Sequence, residues 1–221
     1  TFSNFFNSKK IDFQLGYEVS EISGFASSIA GDFNGQNISR KLGSYDAYGS
    51  SEVNLTPKFS FRPGIRVMFS SQFKTEQALS FSVKYSFTED FDARFILGTS
   101  PRIPSYDELY SYFVDVNHNV QGNSELNTEK GTSAFIHLRK KHNFSKFKSE
   151  SKFSAWLIDV SDRIELIIVN DAPLAYKFMN IDQYKSRGIS YNNAFRYENF
   201  NANVGLTYAG MAKEMNSQET E

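Results

Sequence analysis

The chain has 221 residues, with 24 Lys plus Arg against 25 Asp plus Glu, 22 Phe and no Cys. A formal net charge of −1 excludes the basic patch of a nucleic-acid binder, and the lack of Cys excludes disulfides, thiolate metal cages and a cysteine nucleophile. No run of about 18 apolar residues occurs, which excludes a transmembrane helix. A mean hydropathy of −0.45 carries little weight against membrane-spanning strands, because those alternate apolar with polar residues. The chain starts at Thr1 without a signal-peptide pattern and ends in polar residues, so we expect a piece of a longer protein.

Apolar and polar residues alternate with a period of two along most of the chain, which predicts β-strands. The alternation is clearest at 11–19, 59–69, 81–87 and 200–208. Further candidate strands cover 44–55, 91–98, 132–141, 148–159 and 185–197. Together with a truncated strand before Lys9 they amount to about ten antiparallel strands. Helical periodicity is limited to a turn or two around 106–113.

The predicted connections alternate between short turns and longer links. The short turns are 7–10, 56–58, 88–90, 142–147 and 198–199. The longer links are 23–43, 71–78, 99–131, 160–184 and the residues from 211 onward. This asymmetry is typical of outer-membrane barrels, and strands of about ten residues tilted by about 40° cover the apolar band of about 25 Å. The predicted fold class is therefore all-β, an antiparallel transmembrane β-barrel segment.

Two features of the predicted strands suit a barrel wall. Aromatic residues that fit an interfacial girdle stand beside the short turns: Phe59, Phe87, Phe91, Tyr197 and Phe200. The polar positions between the apolar ones fit a water-filled lumen: Asp12, Glu18, Glu52, Arg62, Arg66, Lys84 and Arg94. A soluble or surface-attached β-sandwich that binds a partner or glycan through 99–131 is the alternative, since it would alternate in the same way. A passive porin-like channel is a third possibility.

The link 99–131 contains two short motifs. The first is Pro101-Arg102-Ile103-Pro104-Ser105 followed by Glu108-Leu109-Tyr110, and the second is Gly122-Asn123-Ser124-Glu125-Leu126 followed by Glu129. These boxes resemble those of TonB-dependent outer-membrane receptors, which usually read Phe-Arg-Ala-Pro-Ser with Glu-Leu-Tyr and Gly-Asn-Pro-x-Leu with Glu. Pro101, Ile103 and Ser124 depart from that pattern.

The resemblance implies that 1–221 is part of a 22-stranded barrel in the bacterial outer membrane, without its plug and closing strands. Members of the family import scarce nutrients, and we rank a ferric siderophore first and haem second as the cargo. The implied partners are the TonB complex, acting through the missing plug, the outer-membrane lipid and the small-molecule nutrient. No nucleic-acid partner and no cofactor are predicted.

Five residues of the link are candidate ligand contacts: Arg102, Tyr106, Tyr110, Tyr112 and His118. In haem-transporting relatives a His lies between the two boxes, and His118 occupies that interval as a possible axial ligand of haem iron. The alternative for His118 is a loop His bonded to the backbone. Arg102 and the three Tyr could bind an anionic ligand, although we favour a structural role for Arg102.

Catalysis and a protein metal site are not predicted. The chain has no Gly-x-Ser-x-Gly motif, and none of its three His has a paired carboxylate at a recognisable spacing. His137 and His142 are predicted to be solvated or to contact headgroups. Asp159, Asp162 and Asp171 are predicted to be solvated charges of the link 160–184, because their spacing fits no calcium loop.

Overall fold

A computed structural model describes residues 2–3, 10–26, 38–114 and 118–214, and most of them belong to one large sheet. The strands are β1 (Phe2–Ser3), β2 (Ile11–Ala26), β3 (Ile38–Thr56), β4 (Phe59–Ser70), β5 (Glu76–Thr88), β6 (Phe91–Arg102), β7 (Tyr112–Val114), β8 (Asn119–Gln121), β9 (Glu129–Phe144), β10 (Phe147–Asp171), β11 (Leu174–Tyr197) and β12 (Phe200–Glu214). Helix α1 spans Tyr106–Tyr110. Among the described residues, no helix is long and apolar enough to cross a bilayer.

Ten of the strands form an antiparallel meander in which each pairs with its neighbour along the chain, apart from the step from β6 to β9. The small hairpin of β7 and β8 interrupts that step and joins β11 through a short parallel pairing. The sequence-based prediction of about ten antiparallel strands is confirmed. Residues 4–9 lie outside the described part, and with them most of the turn predicted at 7–10.

Register places the apolar residues of neighbouring strands on one face of the sheet. Leu97 of β6 lies opposite Ala134 of β9, which in turn lies opposite Leu157 of β10. No second sheet covers these side chains in the described part of the chain, and many large apolar residues are exposed there. They include Leu15, Tyr17, Val19, Ile65, Leu79, Phe81, Phe95, Leu97, Ile136, Leu157, Ile189, Leu206 and Tyr208. The β-sandwich alternative is therefore wrong, because its apolar faces would pack against each other.

The opposite face carries charged residues that pair across strands. Arg62 of β4 contacts Glu52 of β3 at 2.6 Å, and Arg139 of β9 contacts Asp92 of β6 at 2.5 Å. Polar side chains on one face and apolar side chains on the other are what a barrel wall requires between a wet lumen and lipid.

The polar face is the concave one. A buried cluster on this face joins Leu42 of β3 and Ile164 of β10, together with Leu109 and Leu126 from the segment between β6 and β9. In a flat sheet β3 and β10 would stand about 24 Å apart, because neighbouring strands are about 4.8 Å apart. The sheet must curl to bring both strands to one cluster, so it forms an open half-barrel with the apolar face outside.

The two ends of the sheet differ, as predicted. Two-residue turns close one end at 57–58, 89–90, 145–146 and 198–199. At this end the ring of Phe87 stacks on that of Phe91 with 4.7 Å between centroids. The buried cluster and residues 103–114 and 118–128 lie at the other end, which we call the outer end.

The predicted link 160–184 is wrong. β10 and β11 run on as a hairpin of 25 and 24 residues that turns at 172–173, so Asp159, Asp162 and Asp171 belong to a strand. His137 is half-buried on the concave face, where its Nδ1 lies 2.8 Å from the Ser154 hydroxyl. The links predicted at 23–43 and 71–78 are shorter than expected, since β2 continues to Ala26 and β5 starts at Glu76.

The two faces of β12 provide a direct test of this orientation. Leu206 is exposed on the convex face near the middle of the wall, whereas its neighbour Thr207 points to the concave face. We expect Leu206→Lys to destabilise the intact barrel in lipid vesicles by about 2–4 kcal/mol, because a charge would face hydrocarbon. Thr207→Lys is the matched control and should lower the free energy of unfolding much less. Urea titration of the folded fraction measures both, and equal costs would contradict the assignment of faces.

Candidate functional site

The segment between β6 and β9 folds back over the concave face, and we call residues 103–114 and 118–128 the inner segment. Its helix α1 begins with a capping box, in which the Ser105 hydroxyl accepts from the Glu108 N–H at 3.3 Å. In return the Glu108 carboxylate accepts from the Ser105 N–H at 2.7 Å. This reciprocal pair satisfies N–H groups that the first helical turn would leave without partners. Pro104 before the cap is fully buried, so the first box fixes where the chain enters the helix.

Arg102 holds the inner segment to the wall. Its guanidinium donates to Glu108 at 2.8 and 3.1 Å and to Glu129 at 2.8 and 2.6 Å, so it is bidentate to both carboxylates. Arg102 and Glu129 are also direct partners in the register of β6 and β9. Glu129 additionally accepts from the Ile164 N–H at 2.7 Å, which ties β10 into the same group. We call Arg102, Glu108 and Glu129 the arginine clasp.

The clasp sets the charge of Glu108. Burial by itself would raise the pKa of this carboxyl, but the hydrogen bonds and charge of Arg102, with the Ser105 N–H, outweigh burial and lower the pKa below its usual value. Glu108 is therefore an anion at neutral pH and serves Arg102 and the helix cap as an acceptor. This accounts for an Arg and a Glu six residues apart in the first box.

Backbone hydrogen bonds join the second box to the segment that follows the first. The Gly122 N–H donates to Ser111 O at 2.6 Å, and the Asn123 N–H donates to Glu108 O at 2.8 Å. A side chain at Gly122 would meet the Leu109 backbone at 2.8 Å, so only glycine permits this close approach. Leu126 is 4% exposed and packs into the buried cluster. The residues of both boxes thus hold the inner segment in place.

Two further contacts anchor the inner segment to strands that are distant in sequence. Asn180 of β11 exchanges hydrogen bonds with the Asn127 backbone, accepting at 2.8 Å and donating at 3.1 Å. Tyr106 lies over Gly24 of β2, where any Cβ would overlap its hydroxyl. The inner segment therefore spans the concave face from one side to the other.

A polar pocket opens beside α1. It has a volume of about 400 Å³ and is lined by Arg40, Gln72, Leu109, Tyr110, Ser111, Tyr112, Gln121, Gly122 and Ser124. The Tyr110 hydroxyl donates to Gln72 Oε1 at 2.5 Å, and the Arg40 guanidinium stands 5.8 Å from the centroid of the Tyr110 ring. No carboxylate within ion-pair distance of Arg40 occurs in the described part of the chain. The pocket thus offers a cation, two phenol rings and several amides or hydroxyls.

The structure brings only some of the candidate ligand residues to this pocket. Tyr110 and Tyr112 line it, whereas the Arg102 guanidinium is engaged by two carboxylates and Tyr106 packs on β2. His118 is exposed next to Phe113, with 4.8 Å between ring centroids, and does not line the pocket. Residues 115–117, next to His118, lie outside the described part.

Sequence reasoning missed Arg40 and Gln72. Arg40 lies in β3, two residues after its start, and Gln72 follows β4, so both are far from the two boxes in sequence. Only the curl of the sheet and the bonds of Gln72 to Tyr110 and to Lys41 O bring them to α1. In the described residues, no group of three or more His, Asp or Glu could hold a metal ion.

Removal of the clasp should release the inner segment while the wall stays intact. In Arg102→Ala, Glu108 and Glu129 would face each other without a cation, and we expect local destabilisation of about 2 kcal/mol. Hydrogen exchange of the intact barrel in detergent should then be faster in 103–128 and unchanged in β4 and β5. Arg62→Ala is the control, because it breaks an Arg–Glu pair that lies away from the inner segment. Unchanged exchange in 103–128 would show that other contacts hold the segment.

Comparisons with solved structures agree with the fold. The siderophore receptor PirA from Pseudomonas aeruginosa matches with a TM-score of 0.74 and 15% identity, over 92% of this chain and 40% of that one. The copper transporter OprC matches with a TM-score of 0.69 and 14% identity, over 93% and 36%. The FrpB iron transporter from Neisseria meningitidis matches with a TM-score of 0.68 and 13% identity, over 96% and 34%. The chain therefore spans two fifths or less of the length of these proteins.

No curated protein matches the sequence. The model of the family "TonB dependent receptor-like, beta-barrel" matches residues 2–220, which is nearly the whole chain. This family consists of receptors and transporters rather than enzymes. With its two boxes, its half-barrel and this match, the chain belongs to the family of TonB-dependent receptor β-barrels.

Proposed function

We propose that this chain is the wall of an outer-membrane importer that takes up a scarce nutrient, with a ferric siderophore as the first candidate. The observation that carries the proposal is the polar pocket beside α1. It lies at the outer end of the concave face and presents Arg40 together with Tyr110 and Tyr112. Structural neighbours described as siderophore receptors and iron transporters support the same class of cargo.

The chemistry of the pocket fits an anionic, ring-bearing ligand. Guanidinium groups form charge-assisted hydrogen bonds with anionic oxygens, and tyrosine rings stack on aromatic groups. Ferric complexes of catechol-type siderophores carry negative charge and aromatic rings. The volume of the pocket, about 400 Å³, is within the usual range for small-molecule sites. The rest of the barrel would enlarge the binding surface.

Transport itself is proposed from the family. The ligand binds at the outer end, a plug outside this chain yields, and the TonB complex supplies the energy through that plug. In this scheme the described residues contribute binding and positioning. The arginine clasp keeps α1 and the pocket at a fixed height on the wall.

The role of Arg40 can be tested by ligand titration. In the intact receptor, we expect Arg40→Ala to weaken binding of a ferric catecholate siderophore about 10- to 100-fold, because one charge-assisted hydrogen bond contributes about 1.5–3 kcal/mol. Arg62→Ala is the control, since Arg62 stands on the same face but outside this pocket. Fluorescence titration gives both dissociation constants, and equal values for the two variants would contradict a role for Arg40.

Haem is the second candidate, and it has a separate observation in its favour. His118 is exposed, and the Phe113 ring beside it provides an apolar surface for a porphyrin. If His118 is an axial ligand, the intact receptor should shift the Soret band of added hemin, and His118→Ala should abolish that shift. Persistence of the shift in His118→Ala would exclude His118 as the ligand.

A further inference from the structure

The convex face has a groove that the import function does not use. Its volume is about 530 Å³, and it is lined by Phe95, Ala134, Ile136, Ala155, Trp156, Leu157, Arg187, Gly188, Ile189 and Tyr208. The register of the strands explains why this groove forms. Ala134 and Ala155 stand between larger residues of β6, β9, β10 and β11, so two short side chains leave a depression in an otherwise bulky apolar surface.

Arg187 is the one charged residue in this groove. It is exposed and lies opposite Leu157 of β10 in the register, so it belongs to the convex face. In the described part of the chain, no carboxylate lies within ion-pair distance of its guanidinium. A charge on the convex face of a membrane barrel is costly unless it reaches the interface or meets an opposite charge.

The height of Arg187 on the wall matches that interface. Tyr197 closes β11 at the end with short turns, and the strand from Tyr197 to Arg187 rises about 25 Å if it is tilted by about 40°. The apolar band of a barrel is about 25 Å high, so Arg187 stands at its outer edge. The change from Leu157 to Asp159 and from Ala134 to Thr132 marks the same edge on β10 and β9.

We propose that this groove binds one outer-leaflet lipid, with its acyl chain between Ala134 and Ala155 and its phosphate on Arg187. Arginine matches phosphate in both charge and geometry, because its fork of N–H groups can donate two parallel hydrogen bonds. An apolar depression that ends at an unpaired arginine has the two-part chemistry of a lipid with an anionic headgroup. A protein partner has less support, since the groove opens to the hydrocarbon region.

The inference requires the membrane setting of the proposed function but not its nutrient. A lipid fixed on β9, β10 and β11 would lie against the outside of the strands whose concave side holds the inner segment. Loss of the lipid site should leave siderophore binding intact, and loss of nutrient binding in Arg40→Ala should leave the lipid in place. The two proposals can therefore fail separately.

Native mass spectrometry of the intact receptor in mild detergent tests the lipid site. The probes are phosphatidylglycerol, which carries a phosphate, and diacylglycerol, which has the same acyl chains and no phosphate. We expect the receptor to retain one phosphatidylglycerol at collision energies that remove diacylglycerol. Arg187→Gln should abolish that difference, and Ala155→Phe should abolish retention of both lipids by filling the groove.

Two variants elsewhere on the convex face serve as matched controls for Ala155→Phe and Arg187→Gln. Ala93→Phe adds the same bulk on β6 outside the groove, and Lys140→Gln removes a cation near the short-turn end. Both should behave as the unmodified receptor. A heat-dependent shift on gels verifies folding, and Ala134→Leu replaces Ala155→Phe if that variant does not fold. Arg187→Lys keeps the charge and should keep the preference for phosphatidylglycerol.

Clear results would overturn the proposal. Equal retention of the two lipids by the unmodified receptor would exclude a phosphate contact. An unchanged preference in Arg187→Gln would exclude Arg187 as its donor. Equal losses in Ala93→Phe and in the groove variants would show that retention reflects the whole convex face rather than this groove.

Discussion

A bilayer imposes one constraint on which the rest of this structure depends. In hydrocarbon no backbone N–H or C=O can turn to water, so every strand of the wall must pair with its neighbours along the membrane-spanning length. Continuous pairing fixes the register, and register fixes which side of the sheet each residue faces. The apolar convex face, the paired charges inside and the position of the inner segment all follow from that register. A shift of one residue in any strand would place its Arg and Glu side chains in lipid.

The two family boxes have a structural role that is distinct from ligand contact. Arg102, Glu108, Gly122 and Glu129 contact one another or neighbouring backbone, and they position α1. The open pocket draws instead on Arg40 and Gln72, which belong to neither box. In this chain the clasp and the pocket lining are therefore built from different residues. Ser124, which stands where the family usually has Pro, lines the pocket and does not belong to the clasp.

The sequence predicted strands correctly where contact with lipid requires apolar and polar residues to alternate. It failed to predict strands where water surrounds both faces of the sheet. The strands predicted at 59–69 and 81–87 lie within β4 and β5, because each presents an apolar or aromatic side chain to lipid at every second position. Beyond the outer edge that requirement ends, so Asp159 and Asp171 resembled loop residues although both pair with β11. Arg40 gave no local signal, since its partner Tyr110 becomes a neighbour only after the sheet curls.

The hairpin of β10 and β11 extends far past the wall. From Asp159 to its turn it continues for about 40 Å of chain, since each residue adds about 3.3 Å. The base of the hairpin is joined to the inner segment by hydrogen bonds. The Ile164 N–H donates to the Glu129 carboxylate, and the Asn127 N–H donates to Asn180 Oδ1. Joined to the inner segment in this way, the hairpin projects beyond the wall as a long arm. A load applied at the tip of that arm would act as a torque on α1 and on the mouth of the pocket.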